Sequence, residues 1–225
     1  GTISGVIGDG SASDTLDFIG DGKLVLTGVN TYTGATYIDS GTLALSGAGS
    51  IASSSGVDLC DCGTFDISGT NNGATIQDLS GEGVVELGDK TLTISNAAGL
   101  LDYAGVIQGA GGLAISGGAL ILSGDNTYQG GTSIVGPGTA VAVNSNTALG
   151  TGMVSMAGYA GLIFFDDGLS LANDFKLSGD AGFMTLSGHT GTLAGVIGDG
   201  TSPGTLDFAG GGTLVLTNNN TYTGP

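Results

Sequence analysis

The stretch GVIGDGSASDTLDFIGDGKLVLTGVNTYTG at residues 5–34 decides the fold, because it returns at residues 195–224 as GVIGDGTSPGTLDFAGGGTLVLTNNNTYTG. The two copies align without a gap, and most of their positions are identical. A shortened third copy, GVIQGAGGLAISGGALILSGDNTYQG, occupies residues 105–130. A chain that reuses one segment in this way is typical of stacked repeat architectures, in which each repeat buries its apolar face against its neighbours.

Short apolar packets along these copies indicate β-strands. In LVLT at residues 24–27, Leu24 and Leu26 face one way and Val25 and Thr27 the other, which is the period-two pattern of a strand with one buried face. Glycine-rich turns separate the packets, and helical periodicity is nearly absent. The predicted strands include Thr15–Phe18, Lys23–Thr27, Thr36–Asp39, Thr42–Ser46, Thr64–Ser68, Val84–Leu87, Thr91–Ser95, Leu113–Ser116, Ala119–Ser123, Thr139–Val143, Met153–Ala157, Thr205–Phe208 and Thr213–Thr217.

Many short strands and an internal repeat together predict an all-β fold, a right-handed single-stranded parallel β-helix (β-solenoid). Coils of about 20 residues would give about ten or eleven turns. Stacked at about 4.8 Å, they would form a rod about 50 Å long, and parallel crossovers favour the right hand. We expect residues 1–225 to form one continuous segment, with related repeats near 5–47, 105–144 and 195–225. Its interior would hold leucine columns such as Leu24/Leu26, Leu43/Leu45, Leu120/Leu122 and Leu214/Leu216.

Composition excludes several classes of protein. With 47 glycines but no period of three, and with 40% hydrophobic residues, the chain is neither collagen-like nor disordered. Its cations are Lys23, Lys90 and Lys176 against 20 acidic residues, a formal net charge of −17 that would repel nucleic acid and anionic lipid. No apolar run approaches the roughly 20 residues of a membrane-spanning helix, so direct membrane insertion is not expected.

The element Asn-Thr-Tyr-[Thr/Gln]-Gly occurs three times between predicted strands, so it is interpreted as a structural corner. Asparagine tolerates left-handed geometry and can hydrogen-bond along the rod, and glycine would release the next turn. The tyrosines are either aromatic binding platforms or packed against their own corners, and packing is favoured. The corner residues are Asn30, Tyr32, Gly34, Asn126, Tyr128, Gly130, Asn220, Tyr222 and Gly224.

The two cysteines, Cys60 and Cys62, are separated by one residue. Side chains at i and i+2 of a strand share a face, so a disulfide needs local distortion and would stabilise weakly because its loop is short. A zinc site would need further ligands, and His189 is the only histidine. We expect a local disulfide rather than free thiols, and we expect no metal or cofactor.

Catalytic patterns are weak. Carboxylates that a polysaccharide-active β-helix could use are Asp166/Asp167, Asp58/Asp61/Asp66 and Asp14/Asp17, but neither their separation nor their environments can be read from the sequence. The chain has no arginine and no nucleophile elbow, and His189 is expected in an exposed loop. Gly-Asp-Gly at residues 8–10 and 198–200 lacks the tandem pattern of a calcium-binding roll and is interpreted as an acidic turn. No catalytic, cofactor-binding or metal-binding residue is therefore predicted.

Residues 20–47 (GDGKLVLTGVNTYTGATYIDSGTLALSG), 117–144 and 210–225 resemble the passenger-associated transport repeat of bacterial autotransporters, and residues 63–95 resemble linking coils of such passengers. The resemblance implies a type V secreted protein of a Gram-negative bacterium. Such a protein is exported through the periplasm and the outer membrane to the cell surface or the medium. The C-terminal outer-membrane barrel of that family is not present here, so an internal or truncated passenger segment is expected.

The function expected from these patterns is contact. Long faces of Thr, Ser, Asn and Asp suit an adhesin that binds a host cell surface, a matrix protein or a glycan, or that self-associates. An alternative is a stalk that holds a distal domain away from the membrane, and a lesser alternative is a polysaccharide-active enzyme.

Overall fold

The structure, a computed structural model, describes residues 1–225 except the side chain of Ala98. Across this described chain there is no helix, and the regular elements are all strands. In chain order they are β1 (Thr2–Ile3), β2 (Leu16–Phe18), β3 (Lys23–Leu26), β4 (Thr36–Gly47), β5 (Val57–Thr70), β6 (Ala74–Ile76), β7 (Leu79–Gly81), β8 (Val84–Glu86), β9 (Thr91–Ile94), β10 (Ala97–Tyr103), β11 (Val106–Gln108), β12 (Gly112–Ile115), β13 (Gly118–Leu122), β14 (Thr132–Val135), β15 (Ala140–Val143), β16 (Val154–Ala157), β17 (Gly161–Phe164), β18 (Leu169–Leu171), β19 (Phe175–Thr185), β20 (Thr190–Leu193), β21 (Ile197–Gly210) and β22 (Thr213–Leu216).

The strands stack in three parallel columns, because each turn of the chain lays its strands on those of the turn before. The first column runs from β2 through β4, β5, β7, β10, β13, β15, β17 and β19 to β21. The third column runs from β6 through β9, β12, β14, β16 and β19 to β21. The predicted all-β parallel solenoid is thereby confirmed, with about ten turns.

The second column is interrupted in the middle of the rod. It contains β1, β3, β4, β5, β8 and β11, and it resumes as the three-stranded sheet β18, β20 and β22. Loops fill the gap: the Thr127 N–H donates to Ile107 O at 3.0 Å, and the Ser170 N–H donates to Asn146 Oδ1 at 2.7 Å. The stack therefore continues through two coils without strands at this position.

The core lies inside the three columns and depends on neighbouring coils. Leu43, Leu45, Leu120 and Leu122 are buried, as the period-two pattern predicts. Leu216 is 37% exposed although it occupies an equivalent position, because among the described residues no further coil packs on it. Burial in this fold is therefore supplied by stacking of neighbour on neighbour.

Candidate contact surface

The asparagine corners bind coil to coil. Asn126 Oδ1 accepts a hydrogen bond from the Ile107 N–H of the preceding coil at 2.7 Å, and its Nδ2 donates to Ala148 O of the following coil at 2.7 Å. Asn30 does the same with Ile7 at 2.9 Å and Ser50 at 3.0 Å. Both asparagines are almost fully buried, so their polar atoms are occupied within the rod.

Asn220 makes only half of this pattern. Its Oδ1 accepts from the Ile197 N–H at 2.8 Å, and within the described residues its Nδ2 has no acceptor. The three corners thus share one geometry but differ in how many neighbours they engage.

The corner tyrosines lie inside the rod or at its end. The hydroxyl of Tyr32 hydrogen-bonds Thr36 Oγ1 at 2.7 Å, and that of Tyr128 hydrogen-bonds Thr132 Oγ1 at 2.6 Å. Both rings are buried, so they cannot act as exposed aromatic platforms, and burial raises the pKa of each phenol. Tyr222 in the last coil is half-buried.

The corner glycines allow close approach of neighbouring coils, and neither they nor the corner asparagines adopt the left-handed geometry that the sequence analysis allowed for asparagine. None of the three has a positive φ. A Cβ at Gly34 would lie 2.3 Å from Asp14 O, one at Gly130 would lie 2.5 Å from the Gly111 carbonyl carbon, and one at Gly224 would lie 2.4 Å from Gly204 O. The corner asparagines are likewise outside the left-handed region. The backbone of one coil rests directly on the next at these points.

The Gly-Asp-Gly turns at residues 8–10 and 198–200 hold the corner of the following coil. Asp9 Oδ1 accepts from the Asp14 and Thr33 N–H groups, and its Oδ2 accepts from the Thr33 hydroxyl at 2.7 Å. Asp199 makes the same contacts with Gly204 and Thr223. These hydrogen bonds lower the pKa of both carboxyls. The largest effect on Asp9 comes from the Asp14 N–H, and the largest effect on Asp199 comes from the Thr223 hydroxyl. Both carboxylates are used inside the corner.

Cys60 and Cys62 are exposed free thiols in the structure, so the predicted bridge is not formed there and stays a prediction. Cys60 Sγ donates to Asp39 Oδ1 at 3.6 Å. Residual desolvation and the nearby carboxylates raise the pKa of Cys60, and the hydrogen bond and charge of Asp61 lead the rise for Cys62. In the described part of the chain, no three His, Cys, Asp or Glu side chains converge as metal ligands.

The candidate catalytic carboxylates are dispersed in turn contacts. Asp166 accepts from the Asp167 N–H at 2.8 Å, and Asp167 accepts from the Thr190 N–H at 2.7 Å. Asp66 is partly desolvated, which raises its pKa, but hydrogen bonds from Lys23 and Ser68 outweigh this and lower it overall.

His189 is half-buried, which corrects the exposed position expected from its turn-like sequence. Its carbonyl accepts from the Thr213 N–H of the next coil at 2.8 Å, so the turn is covered. Its Nδ1 is buried and has no hydrogen-bond partner among the described residues.

The outward side of the first column changes character along the rod. Successive rungs present polar residues in the N-terminal half and apolar ones in the C-terminal half. The rungs in order are Asp17, Tyr37, Asp58, Ser80, Asp102, Ile121, Ala142, Ile163, Met184 and Ala209. A uniformly polar wall, as the composition suggests, is therefore wrong for this face.

The outward side of the third column carries mostly hydroxyl groups. Its rungs are Thr75, Thr93, Ala114, Ser133, Ser155 and Lys176. At its N-terminal end this column borders a groove of about 430 Å³. The groove lies where coils without a third-column strand meet β6 and β9, the first strands of that column.

The fold and these corners define a class, a parallel β-helix assembled from stacked repeats. The chain matches the passenger-associated-transport-repeat at residues 19–45, 115–136 and 209–225. Along its whole length it is 31% identical to the adhesin BmaC autotransporter of Brucella suis biovar 1 (strain 1330), and it spans about 7% of that protein's length. The chain thus carries passenger-associated transport repeats and is similar along its whole length to a part of an autotransporter adhesin.

No solved structure matches the chain. In the described residues there is also no helix of the length and apolar character needed to cross a bilayer.

Proposed function

We propose that this passenger segment acts by contact at the bacterial exterior, as an adhesive surface and not as an enzyme. Residues 1–225 would be one continuous part of a larger passenger, displayed on the cell surface or secreted. The similarity to an adhesin along the whole chain supports this proposal.

The main structural support for the proposal is that inward and outward side chains have different roles. The corner residues and the candidate carboxylates Asp166 and Asp167 are occupied by contacts within the rod. Of the outward hydroxyl rungs of the third column, Thr75 is exposed and Thr93 is half-buried. Polar side chains held on a rigid sheet are suited to recognition because little freedom is lost on binding.

The test is binding of the folded segment to host cells, matrix proteins and immobilised copies of itself at physiological salt. Saturable binding to one of these surfaces is the expected result. The same segment with Asp166→Asn and Asp167→Asn should bind equally, since these carboxylates serve a turn. Absence of binding to every surface would favour the stalk over the adhesin.

A further inference from the structure

The groove at the N-terminal end of the third column, called here the Asn-Thr groove, is lined by six polar side chains from four segments. Its volume is about 430 Å³. The loop between β4 and β5 supplies the Ser50 hydroxyl, which accepts a hydrogen bond from the Ala52 N–H at 3.2 Å. The loop before β6 supplies two amides, and β6 and β9 supply three hydroxyls. These residues are Asn71, Asn72, Thr75, Thr91 and Thr93.

The groove is held rigidly by contacts beneath it. Thr70 is buried, donates to Ile67 O at 2.8 Å and accepts from the Gly73 N–H at 3.1 Å. The Asn71 N–H donates to Gly47 O of the preceding coil at 2.9 Å. The threonines are β-branched residues on paired strands, so few rotamers are open to them. The polar groups are therefore placed before a ligand arrives.

The side chains of the Asn-Thr groove are free to bind. Within the described residues the five side chains of Asn71, Asn72, Thr75, Thr91 and Thr93 have no hydrogen bond to the protein, whereas the amides of Asn30 and Asn126 are fully engaged in the rod. Four of the five are exposed and Thr93 is half-buried. Each amide offers donors and an acceptor, and each hydroxyl offers both.

The chemistry of this lining selects among ligand classes. No carboxylate or cation lines the groove, so it has no charge to pair with an ion. The net charge of −17 disfavours anionic ligands everywhere on the rod. No aromatic or long aliphatic side chain is present to bind an apolar ligand. A lining of alternating donors and acceptors without charge matches a neutral, polyhydroxylated molecule.

We propose that the Asn-Thr groove binds a neutral glycan, and this rests on the proposed contact function. The hydroxyls of a sugar both donate and accept, as do the amides of Asn71 and Asn72 and the hydroxyls of Thr75 and Thr93. Without an aromatic ring to stack on, binding at one groove is weak. Many passengers on one cell would raise the avidity.

The experiment probes an array of neutral glucans, mannans and galactans with the folded segment, with sialylated and uronic-acid glycans as comparators. The best-bound oligosaccharide is then titrated against Asn72→Ala, Thr93→Val and the double variant. Each single change should weaken binding about fivefold, the loss of one hydrogen bond. The matched control is Thr192→Val, which removes an outward hydroxyl on β20, away from the groove, and should leave affinity unchanged.

Several outcomes would overturn the assignment. One is that the folded segment binds no neutral glycan, and another is that it prefers the acidic glycans. A third is that the double variant binds with unchanged affinity while its β-sheet dichroism is intact. Binding of the unaltered segment to cells or matrix, undiminished in the double variant, would refute the glycan site and leave the contact function standing. If the unaltered segment bound neither the glycan array nor cells and matrix, both the glycan site and the contact function would be refuted.

Discussion

The corners at Asn126 and Asn220 have the same sequence element but different surroundings. Asn126 lies between two coils and bonds both, at 2.7 Å to each, whereas Asn220 bonds only the coil before it. The same is true of their tyrosines, since Tyr128 is buried against Thr132 and Tyr222 is half-buried. A repeat in this rod is therefore stabilised by the coils on either side of it, as expected for a quasi-one-dimensional stack.

Residues that hold the coils together and residues available for recognition lie on different sides of the rod. What recurs along the chain, the corner asparagine, tyrosine and glycine, lies inside the rod or between coils. What changes from coil to coil is outward, as in the first column, where Asp58 and Ser80 give way to Ile121 and Ile163. We expect binding specificity to come from these outward residues, which differ from coil to coil.

The largest difference between the two corners is expected from removal of the asparagine amide. Asn126→Ala leaves the buried Ile107 N–H and Ala148 O without a partner, at a cost of about 3 kcal/mol of unfolding free energy. Asn220→Ala is the matched control and should cost about 1 kcal/mol or less. Urea unfolding followed by circular dichroism measures both. Equal losses at the two sites would contradict stacking by neighbours.

A smaller difference is expected from the tyrosine hydroxyls. Tyr128→Phe removes a bond to the buried Thr132 Oγ1, which still donates to Leu149 O, so about 1 kcal/mol should be lost. Tyr222→Phe should change the unfolding free energy by less than about 0.5 kcal/mol, because its ring is half-buried. A loss at Tyr222 as large as that at Tyr128 would show that the last coil is as constrained as the interior.

Acid should weaken the hydrogen bonds that the Thr33 and Thr223 amides donate to Asp9 and Asp199, but not the bond that the Thr127 amide donates to the Ile107 carbonyl. The carboxyls of Asp9 and Asp199 have lowered pKa values, so their contribution is present above the ordinary aspartate value of 3.8. It is lost as pH falls below that value toward the folded pKa. The shortened copy at residues 105–130 has Gln-Gly in place of Gly-Asp-Gly. Hydrogen exchange between pH 5 and pH 2.5 should therefore show Thr33 and Thr223 losing protection before Thr127.

The matched variant for the acid experiment is Asp9→Asn with Asp199→Asn. It should flatten the pH dependence at both ends while leaving the amide of Thr127 unaffected. If protection at the ends falls equally with pH in this variant, the carboxylates are not the cause.

The smallest effect is expected at the thiols. Replacement of Cys60 and Cys62 by serine should change the unfolding free energy by less than about 0.5 kcal/mol, since a bridge across one residue would constrain little chain. Mass spectrometry of non-reduced peptides tests the bridge itself, and two alkylatable thiols would refute it.

The sequence predicts the strands well because each strand shows its pattern within a few consecutive residues. Apolar packets such as Leu24–Leu26 predict a strand because buried and outward residues alternate with a period of two. The internal repeat predicts that the strands stack. Prediction is weakest over residues 153–190. There β19 continues as one strand through Gly179 and Gly182, small residues that resemble a turn in isolation. At Gly179 the φ of +71° shows why glycine stands there, and the register shifts at that point.

The contacts between coils could not be predicted in the same way. The reason for Gly34 is the carbonyl of Asp14, which is placed by the coil-to-coil spacing and not by local chain geometry. The Asn-Thr groove is formed likewise, because Asn72 and Thr93 meet only after stacking. In sequence Asn71–Gly73 resembles an ordinary polar turn.

We propose that this segment works by contact and not by turnover. The most direct measurement incubates the folded segment with cell-surface polysaccharides and follows bound ligand and newly formed chain ends together. We expect saturable binding of the polysaccharide with no chain ends released. Release of chain ends that stops in Asp166→Asn or Asp167→Asn, with the fold intact, would contradict it.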